Sequence, residues 1–283
     1  MIKCVAIDMD GTLLTKDHEI TEENMKAIKA AQEKGVEVVI ATGRSYPEAI
    51  YLLKEAGIKC PVICANGAEV RSPEGEIVAD NPLKKEFAKD ALKILSDSDI
   101  YVEFFTSKGI YTADMERGIS LFKEYAANKH EKTEVEKIEA ILQERMNFIK
   151  TIESVDFIFE QEDYHLYKLL AFSFDPEQLQ KVEAQLKEIE GIALSSSGKE
   201  NLEINGVEAQ KGIALDRFTR EKGISLMETM AIGDNYNDLS MFQRVGRAVA
   251  MGNADDYVKA QCHFVTATNE ESGVAKAIWE AIN

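Results

Sequence analysis

Two aspartates two positions apart, Asp8 and Asp10, follow the apolar run Val5-Ala6-Ile7 and precede Gly11-Thr12. Along an extended chain, residues i and i+2 face the same side, so both carboxyl groups reach one ligand. Acids at the end of a buried strand are costly unless a partner offsets their charge, and a metal ion is one such partner. Gly11 lets the backbone turn sharply and approach that ligand closely. The chemistry this suits is a carboxylate nucleophile beside a general acid/base. Two other readings attach to the same residues. Asp-x-Asp-Gly is a common turn sequence, because Asp and Gly suit turn geometry. A calcium loop counted from Asp8 would place Glu19 at its twelfth position, but its glycine falls at the fourth position instead of the sixth, and apolar Leu13-Leu14 follow.

The elements that must hold these acids come from the periodicity around them. Residues 2–7 read as a strand, and 21–34 as an amphipathic helix capped by Thr21, with Asn24 a weaker-than-ideal third helical residue. Gly35 ends that helix. Residues 36–41 form a second buried strand, 46–56 a helix and 61–64 a third strand. Continuous β-branched runs separated by helices imply parallel strands covered on both faces. From residue 82 the texture changes: helices over 83–96, 116–128 and 135–145 mix with a hairpin, 100–105 with 109–113. A strand at 165–174, a helix at 176–190 and a strand at 192–197 complete an α+β layer with an antiparallel sheet. The charge-rich segment 128–137 reads as a solvated helix face or turn. After Lys211 the first texture returns, with helices at 212–222, 238–245 and 273–282 and strands at 229–232, 248–250 and 263–266. The expected fold is α/β: a Rossmann-like parallel-sheet core, residues 1–82 plus 201–283, interrupted by an insert over 83–200. Structureless loops of that length are uncommon, so the insert is expected to be an α+β domain of its own.

Composition narrows the partners. A chain of 283 residues fits two domains. Its 33 basic against 50 acidic side chains give a net charge of −17, which repels nucleic acids and anionic membranes. An anionic substrate then needs strong local positive groups. The cysteines Cys4, Cys60, Cys64 and Cys262 form no CxxC pair, and three sit in or beside apolar strand-like runs, as small buried hydrophobes in a reducing compartment. The histidines His18, His130, His165 and His263 show no zinc-like spacing. No signal peptide is read at the start, where an acid arrives at Asp8, and no apolar run is long enough to span a membrane. A cytoplasmic location is expected. Oligomeric state is not legible.

Ligands in open parallel sheets bind outside the carboxyl ends of the strands, and several strands here carry polar residues at that end. The first ends in Asp8 and Asp10; the second runs into Thr42-Gly43-Arg44. The third ends in Ala65-Asn66-Gly67-Ala68, where Asn66 reads as a turn former outside the site. A later strand, Met230-Ala231-Ile232, runs into Gly233-Asp234-Asn235-Tyr236-Asn237-Asp238. Lys211-Gly212 opens the helix after the insert.

These motifs, with Ala250-Met251-Gly252-Asn253-Ala254 and Glu271-Ser272-Gly273-Val274-Ala275, resemble the haloacid dehalogenase superfamily, in its Cof-type sugar-phosphate phosphatase branch. The resemblance covers essentially the whole chain; only the wording before Lys211, Asn205-Gly206-Val207-Glu208-Ala209-Gln210, departs from it. It implies that Asp8 is the nucleophile, forming an aspartyl-phosphate, and that Asp10 is the general acid, then base. It implies Mg²⁺ held by Asp8, the backbone carbonyl of Asp10, and Asp234. Phosphate oxygens would be held by Thr42, the N–H groups of Gly43 and Met9, Lys211 and Asn237. Asp238 would position Lys211 or the metal's waters, and Arg44 stays open between supporting the site and a local ion pair.

The expected function is a Mg²⁺-dependent phosphatase of small phosphate monoesters, sugar phosphates or similar metabolites. The core motifs equally serve a phosphomutase or phosphotransferase, and a non-catalytic phospholigand-binding regulator is the remaining alternative, disfavoured by the intact acids. The insert would act as a cap that excludes water and contacts the leaving group. The core motifs do not choose among hexose phosphates, pyridoxal phosphate, flavin mononucleotide and nucleotides.

Overall fold

In the computed structural model, which describes residues 1–129, 140 and 143–283, the N-terminal apolar run is strand β1 (Cys4–Ile7). In chain order α1 (Glu22–Glu33), β2 (Glu37–Ala41), α2 (Tyr46–Glu55), β3 (Val62–Cys64), β4 (Glu69–Arg71) and β5 (Ile77–Asp80) follow. Next come α3 (Lys85–Asp97), β6 (Tyr101–Thr106), β7 (Gly109–Thr112), α4 (Met115–Lys129), β8 (Ile149–Thr151), α5 (Asp156–Glu160), β9 (Leu166–Phe172), α6 (Pro176–Leu186), β10 (Ile192–Ser195) and β11 (Asn201–Gly206). The chain ends with α7 (Lys211–Glu221), β12 (Thr229–Gly233), α8 (Leu239–Phe242), β13 (Arg247–Ala250), α9 (Asp256–Ala260), β14 (Phe264–Val265) and α10 (Gly273–Ile282). The expected helix over 135–145 and the charge-rich segment 128–137 lie largely outside the described residues. Among the described residues, no helix is long and apolar enough to cross a membrane.

Two compact units emerge: Met1–Asn81 with Glu208–Asn283, and Pro82–Val207. The first holds a sheet in the order β14-β13-β12-β1-β2-β3-β4-β5. Its strands run parallel from β14 to β3, while β4 and β5 add an antiparallel hairpin at one edge. Alternation along β1 sends Val5 and Ile7 into one apolar cluster, with Val38, Ile40, Met230 and Ile232. Cys4 and Ala6 go into another, with Val39, Ala41 and Ala231. Both faces are therefore covered, which is why the strands read as unbroken apolar runs. Thr21 caps α1, its Oγ1 accepting from the Asn24 N–H at 3.3 Å. Asn24 replaces the usual capping acid for a reason of its own. Fully buried, it donates to the Leu13 carbonyl at 3.4 Å and accepts from the Ala275 N–H at 2.9 Å, tying α1 to the loop after β1 and to α10.

The second unit carries a sheet in the order β10-β11-β9-β6-β7-β8, antiparallel except for β7 with β8. Residues 201–207, read from the sequence as part of the core, belong here, because β11 pairs with both β9 and β10. Its Leu202 and Ile204 enter an apolar cluster with Leu83, Phe104, Leu169 and Leu179.

Candidate active site

Strand register assembles the first unit's site. Ile7 pairs with Ile40 on one side and Ile232 on the other, and Ala41 pairs with Ile63. The residues that follow, Asp8, Thr42, Asp234 and the turn Ala65–Gly67, therefore emerge along one edge of the sheet. A wide helical turn (Met9–Leu13) follows Asp8, closed by the Leu14 N–H on the Met9 carbonyl at 2.9 Å. Gly11, at φ +76, sits so close beneath Asp234 that a Cβ would overlap the Asp234 carboxylate. Here the left-handed backbone and the missing side chain are both required.

Lys211, at the start of α7, is fully buried and donates to Asp8 Oδ1 and Asp238 Oδ1, both at 2.7 Å. Asp238 Oδ2 accepts from the backbone N–H groups of Asp234 and Asn235 at 3.0 and 3.1 Å. Both Asp238 oxygens are thus engaged, on the lysine and on its own loop. Asp234 Oδ1 accepts from Thr12 Oγ1 at 2.9 Å. One oxygen each of Asp8, Asp234 and Asp238 lies within 4.8 Å of the others.

Three carboxylates against one ammonium leave an excess of negative charge in a buried place. Burial pushes the Asp8 carboxyl well up, and the charges of Asp238 and Asp234 add to this against the opposition of Lys211. Asp234 is pushed up to about 7, by burial first and the Asp238 charge second. Burial disfavours the charged form of Lys211 too, but Asp238 and Asp8 outweigh it and the ammonium is held charged. Oxygen donors with unbalanced negative charge suit a hard divalent cation. Asp8 and Asp234 fit as its carboxylate ligands, while Asp238 is committed elsewhere.

Asp10 stands apart from this cluster. Its carboxylate is bound at two points by Arg44, Nε to Oδ2 at 2.8 Å and Nη2 to Oδ1 at 2.6 Å, and Arg44 Nη2 also lies 3.3 Å from His18 Nδ1. Burial would raise the Asp10 carboxyl, but the Arg44 charge and hydrogen bonds dominate and hold it down at about 2. The side chain keeps 48% of its surface exposed, so water favours the ionised form as well. Of the two readings left open for Arg44, the geometry is an ion pair, and its partner is Asp10, one of the residues expected in the site.

The remaining expected residues flank these. Thr42 is fully buried; its Oγ1 accepts from the Arg44 N–H at 3.1 Å, leaving the hydroxyl hydrogen to donate elsewhere. Gly43 lies between them. Met9 is buried at the first position of the wide turn. Asn237 Nδ2 donates to Asn66 Oδ1 at 3.3 Å. Thr12, Asn66, His18 and Asn253, whose Nδ2 donates to the Gly11 carbonyl at 2.8 Å, were given no role from the sequence. Thr12, Asn66 and Asn253 all stand inside motifs quoted above, and that placement was the available signal.

A mostly parallel sheet with acids, a lysine and polar turns at its carboxyl edge defines a class. Residues 5–278 match the haloacid dehalogenase-like hydrolase model, and the chain belongs to that family. Phosphatase YwpJ of Bacillus subtilis is 38% identical over 278 residues, spanning 97% of this chain and 98% of that protein. The 5-amino-6-(5-phospho-D-ribitylamino)uracil phosphatase YwtE of the same organism is 36% identical over 279 residues, spanning 97% and 96%. A solved haloacid dehalogenase-like hydrolase from B. subtilis superposes with a TM-score of 0.89 at 36% identity, covering 98% of this chain and 99% of that one. The chain is an enzyme, a phosphoric monoester hydrolase of the haloacid dehalogenase superfamily. Phosphatases of this family generally use a divalent metal, and the acid cluster accords with that.

Proposed function

We propose that this enzyme is a Mg²⁺-dependent phosphatase of small phosphate monoesters that works through an aspartyl-phosphate on Asp8. The observation that carries the reading is the Asp8 carboxylate, buried, with one oxygen fixed by Lys211 and a second acid two residues on. The other Asp8 oxygen attacks phosphorus as the bond from phosphorus to the ester oxygen breaks, and Asp10 delivers a proton to that oxygen. A water that loses its proton to Asp10 then attacks the aspartyl-phosphate, releasing inorganic phosphate and restoring Asp8. Because Arg44 holds Asp10 ionised, Asp10 carries the first proton only once that ion pair loosens.

The Thr42 hydroxyl, the N–H groups of Met9 and Gly43, Lys211 and the Asn237 amide supply donors for the phosphate oxygens. Asp8, Asp234 and the Asp10 backbone carbonyl would hold Mg²⁺, which when bound reduces repulsion between the Asp8 carboxylate and the phosphate dianion. Asp238 positions Lys211. The unit Pro82–Val207 serves as the cap that sets substrate choice, and the protein works in the cytoplasm.

The test is phosphate release from hexose phosphates, pyridoxal phosphate, flavin mononucleotide, nucleotides and the phosphoribitylamino-uracil that names YwtE, with Mg²⁺ or EDTA, beside Asp8→Asn. Release should require Mg²⁺ and fall at least about a thousandfold in the variant. The variant should stay folded, since it removes a carboxylate whose charge the site disfavours and leaves Lys211 its bond to Asp238. Metal-independent release, or substantial release by Asp8→Asn, would defeat the reading. Transfer of the phosphoryl group to a sugar instead of water would reassign the enzyme as a mutase.

A further inference from the structure

The turn after β3 carries three successive residues with positive φ: Ala65 at 46°, Asn66 at 61° and Gly67 at 105°. Left-handed backbone at two non-glycine residues costs of order 1 kcal/mol each and persists only where the surroundings enforce it. What enforces it here is a set of contacts to the other segments of the site. The Ala65 N–H donates to the Arg44 carbonyl at 2.8 Å and the Asn66 N–H to the Thr42 carbonyl at 3.0 Å. A Cβ on Gly67 would lie 2.5 Å from the Gln210 carbonyl oxygen, so the turn packs against the residue that precedes Lys211. The Asn66 side chain is 3% exposed, and its Oδ1 accepts from Asn237 Nδ2 at 3.3 Å.

This bond has a chemical consequence for Asn237. An amide nitrogen carries two hydrogens; with one on Asn66, the second and the carbonyl oxygen face elsewhere. That oxygen, Asn237 Oδ1, is buried and has no hydrogen-bond partner among the described residues. A buried acceptor left unpaired costs about 1–3 kcal/mol and calls for an explanation. Phosphate oxygens accept and so find no bond at Oδ1; it is the second N–H, whose direction the bond to Asn66 fixes, that can donate to them.

We propose that Asn66 is a positioning residue of the phosphate site, orienting the Asn237 amide and anchoring, through its turn, the Thr42 and Lys211 segments. It acts through Asn237 and makes no bond to substrate itself. The inference rests on the phosphatase reading and deepens it, since it concerns how the same site grips phosphate.

Asn66→Gly separates side chain from backbone: glycine tolerates the positive φ, while the acceptor is lost. Binding of inorganic phosphate in Mg²⁺, followed by titration calorimetry, reads the site without turnover. Asn66→Gly should weaken phosphate binding about tenfold, and Asn237→Ala by a similar factor. The double variant should be no weaker than Asn237→Ala alone, because the two act as one unit. The melting temperature of Asn66→Gly should stay near that of the wild type. Asn66→Ala, which loses the same acceptor, should bind phosphate no more weakly than Asn66→Gly yet melt lower than it, because alanine adds backbone strain at the positive φ. Unchanged affinity in Asn66→Gly or in Asn237→Ala, or additive losses in the double variant, would overturn the proposal. Phosphate release by the wild type, assayed alongside, tests the underlying reading separately: turnover with unchanged affinity in Asn66→Gly sinks only the role of Asn66.

Discussion

At Asp234 the charge balance of the site becomes a measurable pH dependence. Its carboxyl is raised to about 7 in the folded protein, against roughly 3.9 in an unfolded chain. A raised acid favours the folded state while it can hold its proton. That contribution is complete below the unfolded value and is lost as pH climbs through the folded one. In EDTA the melting temperature should therefore fall between about pH 5 and pH 8. A divalent cation prefers the ionised carboxylate, so the rise in melting temperature on adding Mg²⁺ should be larger at pH 8 than at pH 5. Scanning calorimetry at both values checks this, and an equal rise would argue against Asp234 as a ligand. The spacing of Asp8 and Asp10 and the placement of Asp234 and Lys211 beside strand and helix ends were legible in the sequence, while the roles expected of Asp234 and Lys211 came from the family resemblance. The spacing did not reveal that Arg44 grips Asp10, because an arginine three residues beyond a strand has many possible acids within reach. Asn66 was harder still: asparagine is common in turns, and only its positive φ and its bond to Asn237 mark it out.

Elements tell a similar story of surface pattern against hidden pairing. The alternation of residues 202–205, Leu-Glu-Ile-Asn, is half polar, yet β11 is interior. Glu203 pairs with Lys168 at 2.8 Å, the two side chains only 3% and 2% exposed. Lys168 lies directly opposite Phe105 on β6, its Nζ 4.2 Å from the ring centroid. Burial of both charges is invisible in a single strand's sequence, since each is tolerated only because the other strand supplies its partner. Removing the lysine leaves the Glu203 carboxylate buried without this opposite charge, so Lys168→Met should destabilise the second unit by about 3–5 kcal/mol. Lys168→Met with Glu203→Leu should recover most of that loss, which denaturant unfolding of the two variants would show. The β4–β5 hairpin escaped notice for a different reason: its strands are short and a register shift falls between Val70 and Arg71, which breaks the alternation.

For the whole molecule, the order of residues along the chain matters as much as their final places. The first unit is made of two stretches far apart in sequence, and the second is continuous. In the first sheet β1 lies between β2 and β12, with Val5 beside Met230. On the ribosome, Cys4–Ile7 waits with one edge bare until Thr229–Gly233 has been made, while Pro82–Val207 is already complete. Continuous units fold as they emerge, so stalled chains should gain protease resistance over 82–207 before 1–81. An uncovered apolar strand edge is also an aggregation hazard, and β1 carries that edge until β12 pairs with it. The same arrangement acts as a safeguard against fragments: a chain that stops within 82–207 carries Asp8 but neither Lys211 nor Asp234, so the centre proposed above cannot assemble on it.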